Sequence, residues 1–597
     1  MRKNRRGRVI AAVAAMSFIA ASCGGSDTAD APADEPAAEA PADEPADEPA
    51  DEPADAPADE PAAEPAAAPD GTAMVYTVNL HPDAVWEDGS PITVADMICT
   101  WQAAMNTPGS LSTVGYDQII DVVQGSSDKQ GVVYFASVYA PFRTLFGGLL
   151  MASMHDDCND VSLDFDDAWP ASGRPYKITE WSPTQVVYEP NENYWGDAPV
   201  TSKIVAVPLA DFETEQAAIA SGEVDFISPQ WDPSFREVAE ADSAIGLDVR
   251  PGAMYEGFYF QQGGKVDSQY DGPFANDVYR EAFARSIDRE AVIQQIYVPI
   301  GGADTEALTC GPIVPGPYCD PATAPFQDIY DPEGAADLLS SEGWTQDADG
   351  FWVNPDTGEV PEVRWIINTG NGRRESTQAF LIPKLAELGF KVVPDNCDAA
   401  CYFQQRLPAL DYDMAMYISV PSPDPGYLTG SFICDAVPTE DNGYAGQNSQ
   451  GWCNEEASAM LTEADVTTDA AARATLIKDA IQMMADDFVM TPLFQFPNSF
   501  LWRSDQVGPS AEMSANTANY VGYVPSMPLW EDLDGDGQIV IGAEQWPECL
   551  NPVTECANSS WYVWTVAAVV QPGLWDTTDD QAFVESPLLE SWTAEVL

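Results

Sequence analysis

Met74-Val-Tyr-Thr-Val-Asn-Leu80, followed by Trp86-Glu-Asp-Gly-Ser-Pro-Ile-Thr-Val-Ala-Asp96-Met97, is the stretch on which the fold turns. Its first seven residues alternate apolar and polar side chains, the two-residue period of a half-buried strand. Asp88-Gly89 marks a turn, because glycine reaches left-handed backbone without a steric penalty. Thr93 stands where a helix N-cap belongs, with Asp96 three residues on. That capping-box spacing predicts a helix running to about Met105.

Toward the N-terminus this pattern vanishes. Residues 27–73 consist almost wholly of Ala, Pro, Asp and Glu, in repeats such as Ala-Asp-Glu-Pro. Proline blocks helix, the carboxylates repel one another, and nothing apolar is available to pack, so an extended, disordered tether is expected. Before it, Met1 to Ser22 opens with basic residues and continues as an apolar run from Val9 to Ala21. That run is too short to span a bilayer. With the small residues that lead into Cys23, it resembles a bacterial lipoprotein signal. The resemblance implies cleavage before Cys23, lipidation of its thiol, and an extracytoplasmic protein anchored to the cell membrane without a transmembrane helix. Ala20 stands where such signals usually carry leucine.

The chain carries 96 acids against 25 bases, a formal net charge of -71 over 597 residues. Outside the leader and tether the excess persists, with 80 acids against 20 bases by count. Such a surface repels nucleic acid and anionic lipid, so no nucleic-acid partner is expected. There are 11 cysteines. With Cys23 taken by lipid, ten remain for an oxidising compartment. Cys310/Cys319, Cys397/Cys401, Cys434/Cys453 and Cys549/Cys556 are close in sequence, leaving Cys99 and Cys158 to pair. Zinc is the rival use of these thiols. It is disfavoured by the lack of a CxxC pair and by the presence of only two histidines, His81 and His155.

Tyr76 to Thr100 resembles the opening signature of the extracellular solute-binding proteins of family 5, the peptide/nickel type that serves ABC importers. Further matches follow in family order. They are Gly173-Arg-Pro-Tyr176 with Trp181, Asn191-Glu-Asn-Tyr-Trp-Gly196, Ser221-Gly-Glu-Val-Asp225, and Phe258-Tyr-Phe-Gln261 with Pro273-Phe274. Val278-Tyr-Arg280 through Ser286-Ile-Asp-Arg289, then Tyr330-Asp-Pro332 through Gly343-Trp344, continue the series. Asp424-Pro425 and Pro492-Leu493 close it. The resemblance implies an α/β, two-lobed clamshell of the periplasmic-binding-protein type (type II, family 5), with crossover strands near Phe258–Phe260 and Pro492–Phe496.

The order of segments departs from the family. Its usual opening strand, "LDP" and "PxLAxSW" segments do not precede Tyr76. They resemble instead Ile539-Val-Ile-Gly-Ala543, Leu550-Asn-Pro-Val-Thr554 and Pro587-Leu-Leu-Glu-Ser-Trp592. Each segment occurs once in rotated order, which reads as circular permutation. A fragmentary second copy starting at Ile539 would instead leave the first copy with an uncovered edge. The expected organisation is therefore a signal at 1–22, a tether at 23–73, and the larger part of the first lobe at 74–254. The second, ligand-closing lobe takes 255–495, and 496–530 returns to the first. A junction loop at 531–538 then leads into the rotated opening segment, 539–597. That junction, Asp532-Leu-Asp-Gly-Asp-Gly-Gln-Ile539, follows the first half of an EF-hand loop. Carboxylates of Asp532, Asp534 and Asp536 with the carbonyl of Gln538 suit calcium. Position twelve is Ala543, however, and Glu544 comes one residue late. A polar linker is the other reading, and calcium, if held, would be structural; no other cofactor is expected.

No catalytic constellation is visible, so no enzyme is expected. There is no H-E-x-x-H, no G-x-S-x-G and no nucleotide-binding P-loop in the sequence. The resemblance implies a monomer that captures a peptide or other small organic solute and delivers it to separate permease and ATPase subunits. Ligand candidates are Tyr255 and Glu256 just before the crossover, and Tyr417-Ile418-Ser419, which aligns with the family segment that runs along bound peptide. Pro421 stands where peptide binders carry an amine-pairing Asp. Arg373 or Arg374 can clamp a carboxylate bidentately. Asn551, Trp561 and Trp564 lie in the rotated segment, the tryptophans as stacking surface or core. The second reading is a surface-anchored solute sensor, or a calcium-dependent structural protein, that kept the clamshell without transport.

Overall fold

A computed structural model describes residues 68–597 apart from 167, 233, 264–269, 271, 302–304, 328, 400, 440–445, 514–521, 545, 548, 559, 561 and 579–581. The leader, Cys23, nearly all of the tether, and Trp561 lie outside the described residues.

The alternating stretch forms β1 (Met74–Leu80), with every second side chain buried. The turn at Asp88-Gly89 forms as expected, with Gly89 at φ +82° and its N–H donating to the Trp86 carbonyl at 2.9 Å. Helix α1 (Val94–Asn106) then starts on the predicted cap. The Thr93 hydroxyl accepts from the Ala95 N–H, and Asp96 Oδ2 accepts from the Thr93 N–H at 2.7 Å. Asp96 is buried and also accepts from the Trp86 indole and the Ala152 N–H. One carboxylate thus ties the turn, the helix start and a distant segment together. A buried charge persists when hydrogen bonds replace its hydration.

The remaining principal strands are β2 (Ile119–Gln124), β3 (Gln130–Phe135), β4 (Tyr176–Ser182), β5 (Gln185–Pro190), β6 (Ile204–Pro208) and β7 (Phe226–Ile227). They continue as β8 (Ile245–Phe260), β9 (Glu362–Ile366), β10 (Lys391–Pro394), β11 (Met414–Ser419), β12 (Met490–Arg503), β13 (Ile539–Ala543) and β14 (Leu589–Val596). A four-stranded antiparallel sheet has the order β2-β3-β1-β14. A ten-stranded sheet has the order β10-β9-β11-β8-β12-β7-β13-β6-β5-β4.

Two long strands organise the larger sheet. β8 and β12 pair antiparallel from Ile245 opposite Arg503 to Tyr259 opposite Met490. Register slips fall at Pro492/Phe494 and Phe496/Pro497, where a proline supplies no N–H to the ladder. On one side lie β7, β13 and β6, mutually parallel; on the other, β9 runs parallel to both β10 and β11. Parallel strands need crossover connections, and helices such as α2 (Phe212–Ser221) and α3 (Gly372–Glu387) provide them. The outcome is a two-lobed α/β fold whose halves share β8 and β12. The sequence-predicted crossovers at 258–260 and 492–496 fall within this paired stretch.

The C-terminal segment enters both sheets. β13 lies between β6 and β7, with Val540 opposite Val205 and Ile541 opposite both Ala206 and Phe226. β14 covers β1, with Trp592 opposite Val78 and Val596 opposite Met74. Helix α4 (Tyr562–Val570) is apolar and mostly buried. Residues 539–597 therefore complete two cores and do not project as a separate lobe.

Five disulfides join the ten described cysteines in the pairs expected: Cys99–Cys158, Cys310–Cys319, Cys397–Cys401, Cys434–Cys453 and Cys549–Cys556. Among the described residues no helix is long and apolar enough to cross a membrane.

Candidate functional site

The two-residue period of β8 separates two residues that the sequence had placed together. Side chains alternate between sheet faces. Glu256 packs with the face that carries Phe258 and Phe260, whereas Tyr255 packs with Tyr259 on the other.

On the first face, Glu256 is fully buried and gathers two arginines. Arg373 Nε donates to Oε2 at 3.0 Å and Arg374 Nε donates to Oε1 at 2.5 Å. Arg374 Nη1 also donates to Asn368 Oδ1, and the Tyr297 hydroxyl donates to Glu256 Oε2 at 3.4 Å. Both arginines occupy the first turn of α3, capped by Asn371. Cations there oppose the helix dipole, so Glu256 is their necessary counter-charge. Burial pushes the Glu256 carboxyl up, but the charges and hydrogen bonds of Arg373 and Arg374 outweigh it and hold the group below the usual range. Arg373 lies 4.7 Å over the Phe496 ring, and its two terminal nitrogens are buried without a hydrogen-bond partner among the described residues. Two guanidiniums facing one carboxylate leave a positive excess and an open bidentate fork.

The position of that fork matters. Arg373 follows the carboxyl end of β9. Across β8 and β12, Glu215 on α2 follows β6, Gln230 follows β7, and Glu544 follows β13. In open α/β sheets, ligand sites gather at the carboxyl ends of parallel strands. Glu215 and Glu544 are both buried. Burial is the main force pushing each carboxyl up; Glu544's charge adds to it for Glu215, while Arg373's charge opposes it for Glu544. The N–H and side-chain amide of Gln230 also hold Glu544. The sequence reading missed Glu215, Gln230 and Glu544. Glu544 did carry a signal, an acid directly after the apolar strand Ile539–Ala543, but it was weighed only as a late calcium ligand.

On the opposite face, Tyr417 stacks on Tyr259 with ring centroids 3.9 Å apart. The hydroxyls of Tyr259 and Ser419 share a 2.6 Å hydrogen bond, and Gln450 Nε2 donates to the Tyr417 hydroxyl at 2.7 Å. Tyr255 is buried within this array, hydrogen-bonded with Ser419 and Tyr259. Ile418, opposite Glu256 in register, packs against the core of the first face. Tyr417-Ile418-Ser419 therefore divides between the two faces. Pro421 lines a recess with Tyr318, Pro423 and Tyr427.

One candidate is corrected. Asn551 spends its side chain internally: Nδ2 donates to the Val161 carbonyl at 2.8 Å and Oδ1 accepts from the Val553 N–H at 2.9 Å. It is a buried strut, because a polar group out of water needs such partners. Trp564 lies half-buried on α4. In the junction loop, carboxylate oxygens of Asp532, Asp534 and Asp536 lie within 4.8 Å of one another. Asp532 accepts from the N–H groups of Gly535 and Gly537, and Asp536 accepts from the Gln538 N–H. No twelfth-position carboxylate closes this loop, since Ala543 is in β13 and Glu544 is held by Gln230.

This arrangement defines a class: a two-lobed α/β binding protein with charged groups at the carboxyl ends of opposed parallel strands. The chain belongs to the bacterial extracellular solute-binding proteins of family 5, whose middle-region description matches residues 60–440. That family consists of solute-binding proteins, not enzymes. The chain is 24% identical over 358 residues to the oligopeptide-binding protein OppA of Mycobacterium bovis, covering 58% of this chain and 57% of that protein. It thus spans a little over half the length of that relative. Among solved structures, a periplasmic EDTA-binding protein, EppA, superposes with a TM-score of 0.67 at 19% identity, over 77% of this chain and 85% of that one. NikZ from Campylobacter jejuni, in complex with Ni(L-His), gives 0.65 at 18% identity, over 77% and 88%. At these identities the likeness to the solved structures speaks for the fold alone.

Proposed function

We propose that this chain is an extracytoplasmic, lipid-anchored receptor that captures a peptide or other small organic solute for an ABC importer, with Cys23 as the anchor. The observation that carries this reading is the open guanidinium fork of Arg373, buried beside Glu256 where the carboxyl ends of β9 and of β6, β7 and β13 face one another. A buried donor pair without an acceptor is costly, and a solute carboxylate removes that cost. The oligopeptide-binding relative supports a solute that carries a carboxylate. Tri-alanine is expected to raise the melting temperature of the purified protein, since binding to the folded state stabilises it. Tri-alanine amide, which cannot fill the fork, is expected to bind about tenfold more weakly or worse, and Arg373→Lys should remove the difference. Equal shifts with acid and amide would overturn the role of Arg373.

The rotated segment order supports reading the domain as circularly permuted, with Asp532–Ile539 as the splice. We further propose that calcium rigidifies this splice, on the grouping of Asp532, Asp534 and Asp536. Calcium is expected to raise the melting temperature of the wild type but not of Asp534→Ala. An equal shift in both, at matched ionic strength, would reject the site.

A further inference from the structure

We infer that Glu215, Glu544 and Gln230 form a subsite for an organic ammonium group, across β8 and β12 from the Arg373 fork. This rests on the reading that the carboxyl ends of these strands hold the solute.

Three acceptor oxygens carry the inference. Glu215 Oε2, Glu544 Oε1 and Gln230 Oε1 are each buried and have no hydrogen-bond partner among the described residues. Glu215 is 1% exposed and Glu544 7% exposed, so water does not satisfy them from outside. Native proteins leave few buried polar atoms unpaired, and three on adjoining loops are not accounted for by packing alone. They come from three successive parallel strands, through α2 after β6, the loop after β7, and the first residue beyond β13. Gln230 already holds Glu544 through its N–H and side-chain amide, which leaves one oxygen of each open.

The donor count fits an ammonium. A primary ammonium has three N–H donors and no acceptor, and three open acceptors meet them one for one. No described arginine or lysine forms an ion pair with Glu215 or Glu544, although Arg373 is near enough for its charge to act on Glu544. The Arg373 terminal nitrogens are themselves unpartnered among the described residues. Open donors on one side and open acceptors on the other thus flank β8 and β12. A solute with an ammonium at one end and a carboxylate at the other pairs both. The competing arrangement is a direct Arg373–Glu544 ion pair, which leaves the Glu215 and Gln230 oxygens open.

Methylammonium chloride is the direct probe, with sodium chloride and calcium chloride at matched ionic strength as controls, all in the Asp534→Ala background so that the junction loop does not respond to calcium. Protein with Glu215 and Glu544 intact is expected to melt higher in methylammonium than in either control. In Glu215→Gln/Glu544→Gln that advantage should vanish. Glutamine keeps the volume of each side chain, and if the double variant does not fold, Glu544→Gln alone carries the comparison. A methylammonium shift that survives substitution, or that never exceeds the controls, overturns the subsite; a shift specific to calcium would assign the acids to an inorganic cation and overturn it equally. In parallel, N-acetyl-tri-alanine is compared with tri-alanine by calorimetry. Acetylation is expected to weaken binding roughly tenfold in the wild type and to have no effect in Glu544→Gln; an equal loss in both proteins overturns the inference. Protein that responds to methylammonium but binds neither peptide keeps the subsite and rejects the peptide reading.

Discussion

Glu256→Ala is expected to destabilise the protein by about 3–5 kcal/mol, the usual cost of leaving a buried charge without its partner. Two charges are stranded here. Arg373 and Arg374 both donate their Nε to this one carboxylate, and both lie in the first turn of α3, where the helix dipole is unfavourable to them. Neither side chain can swing out to water without vacating the core around Phe496 and Tyr297. Urea unfolding measures the loss. A second comparison separates charge from volume. Glu256→Gln keeps the shape and one acceptor, so it should lose nearly as much if charge dominates and little if packing does. The double variant Glu256→Leu/Arg373→Met should recover part of the stability, since well-packed apolar side chains can replace a buried ion pair at little cost. A single variant that unfolds at the wild-type urea concentration would remove Glu256 as the electrostatic anchor of the site.

Much of the fold was legible because local rules and burial agreed. The strand at β1, the turn at Gly89 and the cap at Thr93 each follow from backbone stereochemistry, and each formed where the sequence placed it. The disulfide pairs were legible from an even count and short spacings. The site was legible only in part. Arg373 and Arg374 stood out because bases are scarce in so acidic a chain. Their partner Glu256 was named, but as a neighbour of Tyr255, from which the pleat of β8 separates it. Glu215 and Gln230 were hidden because nothing in a surface-like acidic helix start or a short loop announces burial; only the parallel packing of β6, β13 and β7 brings them to Glu544. Asn551 misled because its motif match concerned a segment, whereas its amide serves the backbone at Val161. Sequence periodicity reports which face a residue takes within one element. It does not report which faces of distant elements meet.

Deleting residues 539–597 is expected to abolish folding, whereas transplanting the same residues to precede Met74 is expected to leave the melting temperature within a few degrees of wild type. The deletion removes β13 from the interior of the ten-stranded sheet, so β6 and β7 lose their shared partner. It also strips β14 from β1 and leaves the buried row Met74, Tyr76 and Val78 beside an open edge. An exposed apolar edge templates aggregation. The transplant restores every pairing because the chain end already lies beside the start of β1: the Leu597 N–H donates to the Ala73 carbonyl at 2.9 Å, and Val596 pairs with Met74. A short Asn-Gly turn between Leu597 and Met74 would close these antiparallel neighbours as a hairpin. The new ends would fall at Gln538 and Ile539, where the Asp/Gly loop meets the start of β13, and the exposed loop on the Gln538 side tolerates a break. No disulfide is divided, since Cys549–Cys556 travels with the segment and the other four lie within 74–538. Circular dichroism and thermal melting of the two chains decide the matter. A deleted chain that melts cooperatively near the wild-type temperature would mean that 539–597 is an accessory to the domain, and a transplanted chain that fails to fold would mean that the present segment order is required for the fold to form.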